Sequence, residues 1–213
     1  MTHLRPGSPT EAHANLRLEA LCDAVFAIAM TLLILDIRLT STENLASASA
    51  LWRAIQQLTP AIAAFVVSFG IILITWVNHW SALKLVNRSS VSFLYANGFL
   101  LLTVVALPFP TGLVGEFLWT DHAAPAVVLY DAVLAAQALG WILVGGTALR
   151  NHLTPDANAA ARLRRNTRHG YAALGLYSLL GVMAVWFPFT SAIVTAVTWM
   201  FWLALSIRAD PKT

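Results

Sequence analysis

About six stretches of roughly 20 residues, almost free of charge, run through this chain, and each is long enough to cross the ~30 Å hydrocarbon core of a bilayer. They fall near residues 18–37, 60–83, 93–114, 126–149, 171–187 and 190–207. In lipid a backbone segment must satisfy its own polar groups, which leaves helices or a closed barrel as spanning structures. Uninterrupted apolar runs of this length fit helices. The expected fold class is therefore all-α, a polytopic membrane protein with six transmembrane helices per subunit. Of the 213 residues, 58% are hydrophobic and only 11% charged, whereas soluble domains carry roughly 25% charged residues. A water-soluble globular core is excluded by that surplus.

The fifth and sixth runs form one apolar stretch interrupted by Phe187-Pro188-Phe189. Proline has no backbone N–H and disfavours helix before it, so a tight hairpin is expected there. Residues 43–57 read as a short amphipathic surface segment. The expected organisation is an N-terminal tail over residues 1–16, a six-helix membrane domain over 17–207 and a C-terminal tail over 208–213. The first apolar run is too long for a signal peptide and no small-residue cleavage site follows it, so it reads as a permanent helix. Cys22 is the single cysteine, which rules out an internal disulfide and any Cys-based zinc cluster.

With this parse the basic residues segregate. Arg5, Arg17, Lys84, Arg88, Arg150, Arg162, Arg164, Arg165, Arg168, Arg208 and Lys212 fall on one side, and only Arg38 and Arg53 on the other, 11 against 2. The side rich in Lys and Arg is cytoplasmic, which puts both termini inside a multi-pass protein of the plasma membrane. The Arg162 to Arg168 cluster reads as a positive-inside loop beside anionic membrane lipid, not as a nucleic-acid patch.

The first run carries the sharpest pattern. No Gly or Pro occurs between Thr10 and Thr59, so an unbroken helix is expected. At 100° per residue Leu21, Ala24, Ile28, Thr31, Leu32, Leu35 and Leu39 share a narrow stripe, with Glu19, Asp23, Phe26 and Met30 opposite. The apolar stripe by itself fits lipid contact or helix packing. The polar side needs a partner within the protein, because a carboxylate in lipid is costly. By depth, Asp23 lies near the cytoplasmic ends of the second and third helices, where His79 and Asn97 lie. A buried cluster joining these three, with the Trp76 indole N–H as a further donor, would satisfy them all. His79 and Trp76 also fit a role as interfacial anchors.

Arg17-x-x-x-Leu21-Cys22-Asp23 resembles the R-x-x-x-F-S-D signature that opens the first helix of the endosomal and lysosomal potassium channel transmembrane protein 175 and its bacterial homologues. The following Ala-Val-Phe-Ala-Ile-Ala-Met-Thr-Leu-Leu-Ile-Leu-Asp-Ile is similar to that family as well. Trp76-x-x-His79, Asn97 and Pro108-Phe-Pro-Thr111 fit its second and third helices. Leu21 and Cys22 depart from the Phe and Ser of the signature. Cys is the weaker hydrogen-bond partner, which implies a looser polar cluster.

The resemblance implies a homotetramer that conducts K+ through a pore lined by the first helix. Ile28, Leu32 and Leu35 would form successive rings and Thr31 a hydroxyl ring, in place of a carbonyl filter. Arg17, Cys22, Asp23, Trp76, His79 and Asn97 would form the supporting polar cluster. Its implied partners are K+, further copies of the chain and membrane lipid. It implies no cofactor, no resident metal and no enzymatic activity.

The residues disfavour two other functions. A secondary transporter calls for Gly- or Pro-broken helices around a charged midplane site. Here the first helix has neither, and Pro108, Pro110 and Gly145-Gly146 fall near helix ends. A membrane enzyme is disfavoured by scattered histidines and by the lack of H-E-x-x-H or G-x-S-x-G. Asp131 in the fourth helix is the one unexplained intramembrane acid. It either pairs with Tyr130 or Gln137 neighbours on other helices or lies near the outer surface, and a proton-conducting role is the alternative it raises.

Overall fold

A computed structural model describes residues 9–38 and 47–208, without the side chains of residues 9–14 and 205–208. Leu39 of the stripe, Arg5 and Lys212 of the charge count, the chain ends at 1–8 and 209–213, and residues 43–46 of the amphipathic segment lie outside the described residues.

Helical elements follow one another as α1 (Pro9–Leu32), a 3-10 turn (Leu33–Asp36), α2 (Ala48–Gln57), α3 (Thr59–Leu83), α4 (Val91–Ala106), α5 (Pro108–Phe117), α6 (Ala123–Arg150), α7 (Ala157–Met183) and α8 (Pro188–Arg208). Several begin at side chains suited to the role. Ser47 accepts a hydrogen bond from Ala50 N at 3.2 Å to start α2, and Ser90 accepts from Phe93 N at 3.2 Å to start α4. The Asp156 carboxylate accepts from Ala159 N at 2.7 Å to start α7. Each satisfies a first-turn N–H that has no partner inside its helix.

Four spans among the described residues are long and apolar enough to cross a membrane: Asn15–Asp36, Thr59–Leu83, Val91–Phe117 and Ala123–Arg150. Pro188–Ala204 is a shorter apolar helix. α6 packs against α4, α5, α7 and α8, while α1 lies at one side against α3 and α4. Phe26, Leu33, Ile72, Phe93, Leu100 and Leu134 build the core that these helices share. Lipid is as apolar as these side chains, so helix association rests on close packing and on interhelical hydrogen bonds. Small residues supply the closeness: a Cβ at Gly115 would stand 2.8 Å from Ala61 Cα, and one at Gly140 would stand 3.0 Å from Leu100 Cδ1.

Several boundaries differ from those expected, the first being that α1 already begins at Pro9, within the expected tail. The third run, read as one helix over 93–114, breaks at Leu107, where Pro108 opens α5; a proline cannot donate the hydrogen bond that would continue α4. The first helix stays helical to Asp36 but tightens to 3-10 over its last turn, a common way for an α-helix to end. The basic cluster is not a loop. α7 starts at Ala157 and carries Arg162 to Arg168 on its first turns, because Ala, Arg and Leu are strong helix formers whether or not they are apolar. The break expected at Pro188 is present, with four residues between α7 and α8.

Candidate functional site

α1 has two unlike sides. Leu18, Cys22, Phe26, Ala29 and Leu33 are buried in the core. Ile28, Leu32 and Leu35 are 55%, 37% and 54% exposed, and Leu21 is exposed with them. The stripe is thus an uncovered side of α1, and the other helices expose apolar side chains too, such as Val66, Leu102 and Val197. Two neighbours make the contrast sharp: Leu32 is exposed and Leu33 is fully buried. The 3-10 turn helps to align the stripe. In a 3-10 helix residues three apart eclipse one another, so Leu35 lies above Leu32 and does not drift round the axis. Ile28 to Leu32 and Leu32 to Leu35 are each steps of roughly 6 Å along the helix. The Thr31 hydroxyl donates to Ile28 O at 2.8 Å within its own helix. Its proton is therefore engaged, and the exposed residue keeps a hydroxyl oxygen with acceptor capacity.

Among the predicted polar residues the structure forms two pairs. Trp76 Nε1 on α3 donates to Asp23 Oδ1 on α1 at 2.8 Å. His79 on α3 meets Asn97 on α4, with Nε2 to Oδ1 at 2.8 Å and both residues buried, 1% and 0% exposed. Asn97 Nδ2 donates to Phe93 O at 2.7 Å, which leaves Oδ1 as the acceptor. His79 must then be the donor at Nε2. Asp23 is not the partner of His79 or of Asn97, and it lies at the exposed edge of α1. The Phe26 ring of the apolar core sits 5.5 Å from the His79 ring. Cys22 is fully buried among apolar side chains and packs as a small hydrophobe. Arg17 is exposed.

A second set of polar contacts starts at Thr75, next to Trp76 on α3, and runs through the middle of the helices toward their other end. Ser68 of α3 shares a hydrogen bond with Tyr130 Oη at 2.8 Å, and the single proton of the Thr111 hydroxyl of α5 is shared between Ser68 Oγ and Leu107 O, each 2.8 Å away. Gln137 Nε2 donates to Thr75 Oγ1 at 3.3 Å. Asp131 is fully buried, and its Oδ1 accepts from Thr195 of α8 at 2.8 Å. Its Oδ2 has no partner among the described residues. Lone hydroxyls inside apolar runs, such as Ser68, Thr75 and Thr195, were the sequence signal for such contacts. The pairing itself depends on which helices are neighbours.

Residues 17–108, which hold α1, α3 and α4, match the family described as endosomal/lysosomal potassium channel TMEM175. The chain is 37% identical over 182 residues to a potassium channel of Streptomyces collinus, covering 83% of this chain and 85% of that one. It is 34% identical over 194 residues to a potassium channel of Chamaesiphon minutus, covering 85% and 91%. Its structure is similar to the crystal structure of a lysosomal potassium-selective channel TMEM175 homolog from Chamaesiphon minutus, with TM-score 0.81, 30% identity, and coverage of 91% of this chain and 98% of that chain. With a fold this similar and relatives at this identity over most of its length, the chain belongs to the TMEM175 potassium channel family.

Proposed function

We propose that this chain is the subunit of a homotetrameric potassium channel whose pore is lined by α1. The observation that carries the reading is the uncovered stripe of Ile28, Leu32 and Leu35, backed on the other side of the same helix by the buried Phe26, Ala29 and Leu33. One helix cannot enclose a pore, but four copies about a closed axis can. Each stripe residue then becomes a ring, and the rings of branched side chains form a constriction that gates by dewetting. The Thr31 oxygens, their protons held by Ile28 O, add acceptors that suit a cation. Such a constriction favours the ion whose hydration shell is less tightly held, so K+ passes more readily than Na+ with modest selectivity.

The Trp76–Asp23 and His79–Asn97 pairs hold α1, α3 and α4 in the register that aims the stripe at the axis. In this reading the apolar second half of α7 and the apolar α8 complete six crossings. The basic ends of the helices lie in the cytoplasm together with both termini, and the membrane is the plasma membrane. A proton-conducting reading would rest on Asp131 and its unpaired Oδ2.

Purified protein reconstituted in liposomes under a K+ gradient should pass K+ faster than Na+ as unitary currents. Its mass in mild detergent should be about four times the 23.1 kDa chain. Conduction by a monomer would refute the α1 pore, and saturable flux without unitary currents would favour a transporter. Proton flux in place of K+ flux, abolished by Asp131→Asn, would favour the alternative.

A further inference from the structure

A cavity of about 500 Å³ opens between α3, α6, α7 and α8, away from the α1 stripe. Ile74, Leu134, Ala173 and Trp199 line its apolar interior. Arg162, Arg165 and His169 line it too, on the basic first half of α7, and the His169 ring lies 6.2 Å from that of Trp202. Both arginines are exposed, and neither forms an ion pair among the described residues. Their level is set by the α6–α7 contact. A Cβ on Gly145 would collide with Thr167 Oγ1, so Arg162 and Arg165 lie beside the last turn of α6, at the cytoplasmic end of the membrane domain. That level rests on the orientation proposed above.

We propose that this cavity binds one anionic phospholipid of the inner leaflet, with its phosphate held by Arg162 and Arg165 and an acyl chain between α3, α6, α7 and α8. A purely apolar guest leaves two guanidiniums unused. A soluble anion leaves the apolar interior unfilled. An amphiphile of negative charge meets both, and guanidinium binds phosphate through paired N–H donors. Basic pockets between helices on the cytoplasmic side suit such headgroups. The basic cluster also contains its own control. At 100° per residue Arg162, Arg165 and His169 fall within about 60° of one another, Arg164 falls about 100° or more from each of them, and Arg168 falls about 60° beyond Arg165; neither Arg164 nor Arg168 lines the cavity.

The test titrates phosphatidylglycerol, and separately phosphatidylcholine, into the purified full-length protein and reads the thermal shift. Phosphatidylglycerol should stabilise the parent, and phosphatidylcholine should not. Arg162→Gln with Arg165→Gln should weaken the phosphatidylglycerol response about tenfold, since each arginine near a membrane surface contributes appreciably to anionic lipid binding. Arg164→Gln with Arg168→Gln, the same change of charge, should leave it within a few-fold of the parent. Ala173→Phe keeps both arginines and fills the interior, so it should weaken the response too, and it carries the test if the double arginine variant does not fold. Equal losses in both arginine pairs would reduce the effect to diffuse charge and overturn the site. Displacement of phosphatidylglycerol by inositol hexakisphosphate, undiminished by Ala173→Phe, would overturn the lipid in favour of a soluble polyanion. The thermal shift is read without conduction, so failure of the lipid site is distinct from failure of the channel reading, which parent K+ flux in phosphatidylcholine liposomes tests.

Discussion

Leu32 and Leu33 are adjacent in sequence, identical in chemistry and opposite in environment, 37% and 0% exposed. Replacing each in turn with Asn separates a pore role from a packing role. Asn nearly matches Leu in size but adds an amide that needs hydrogen bonds. At Leu33, which is 0% exposed, the amide would be buried in the apolar core, and an unpaired buried polar group costs about 1–3 kcal/mol. No transfer term is added, because lipid and protein core are equally apolar. If the assembly holds four copies, the cost is about 4–12 kcal/mol for the whole, provided the distant sites act independently. That is comparable with the entire stability of an ordinary fold.

Leu32→Asn exposes its amide on the uncovered side of α1, so the subunit should change by no more than about 0.5 kcal/mol. Gel filtration and thermal melting should therefore show Leu33→Asn impaired in folding or assembly and Leu32→Asn like the parent. Bi-ionic reversal potentials should show Leu32→Asn with raised conductance or a lower preference for K+ over Na+. A Leu33→Asn channel that assembles and loses selectivity, alongside a Leu32→Asn channel that conducts like the parent, would mean that α1 faces the pore with its other side.

Asp23→Ala removes the acceptor of the Trp76 indole and should destabilise the subunit by about 1 kcal/mol, seen in thermal melting, with reversal potential unchanged; altered ion preference would assign Asp23 to the permeation path. Asn97→Leu alone leaves the buried His79 N–H unpaired and should cost about 1–3 kcal/mol, whereas Asn97→Leu with His79→Phe should cost less than the sum of the two singles. A strictly additive cycle would show that the pair is not coupled. Gly115→Ala forces a Cβ to 2.8 Å from Ala61 Cα and should destabilise by about 1–3 kcal/mol. Gly146→Ala, which meets nothing within 4 Å, should be neutral or stabilising, and equal melting temperatures for the two would contradict the α3–α5 approach.

The sequence by itself determined what the chain must dissolve in and much of what its first helix is. Charge-free runs of membrane-crossing length demand lipid, and 3.6-residue periodicity separates Ile28, Leu32 and Leu35 from Phe26 and Met30 without any coordinates. Those are local properties, set by spacing along one helix. It could not determine which side is buried, because lipid, pore and protein core all accept an apolar stripe; only the packing of α1 against α3 and α4 decided that Phe26 and Leu33 lie inside and Leu32 and Leu35 outside. The polar residues show the same division. Matched depth brought Asp23, Trp76, His79 and Asn97 to one end of the helices, but their division into Trp76–Asp23 and His79–Asn97 depends on ångström distances between three helices. Arg162 and Arg165 differ from Arg164 and Arg168 only once α7 is known to be helical through the cluster and to pack against α6. A hydrogen bond, and the choice of which side of a helix meets its neighbour, are short-ranged and directional. They are fixed where helices touch, and helix contacts are a property of the folded chain.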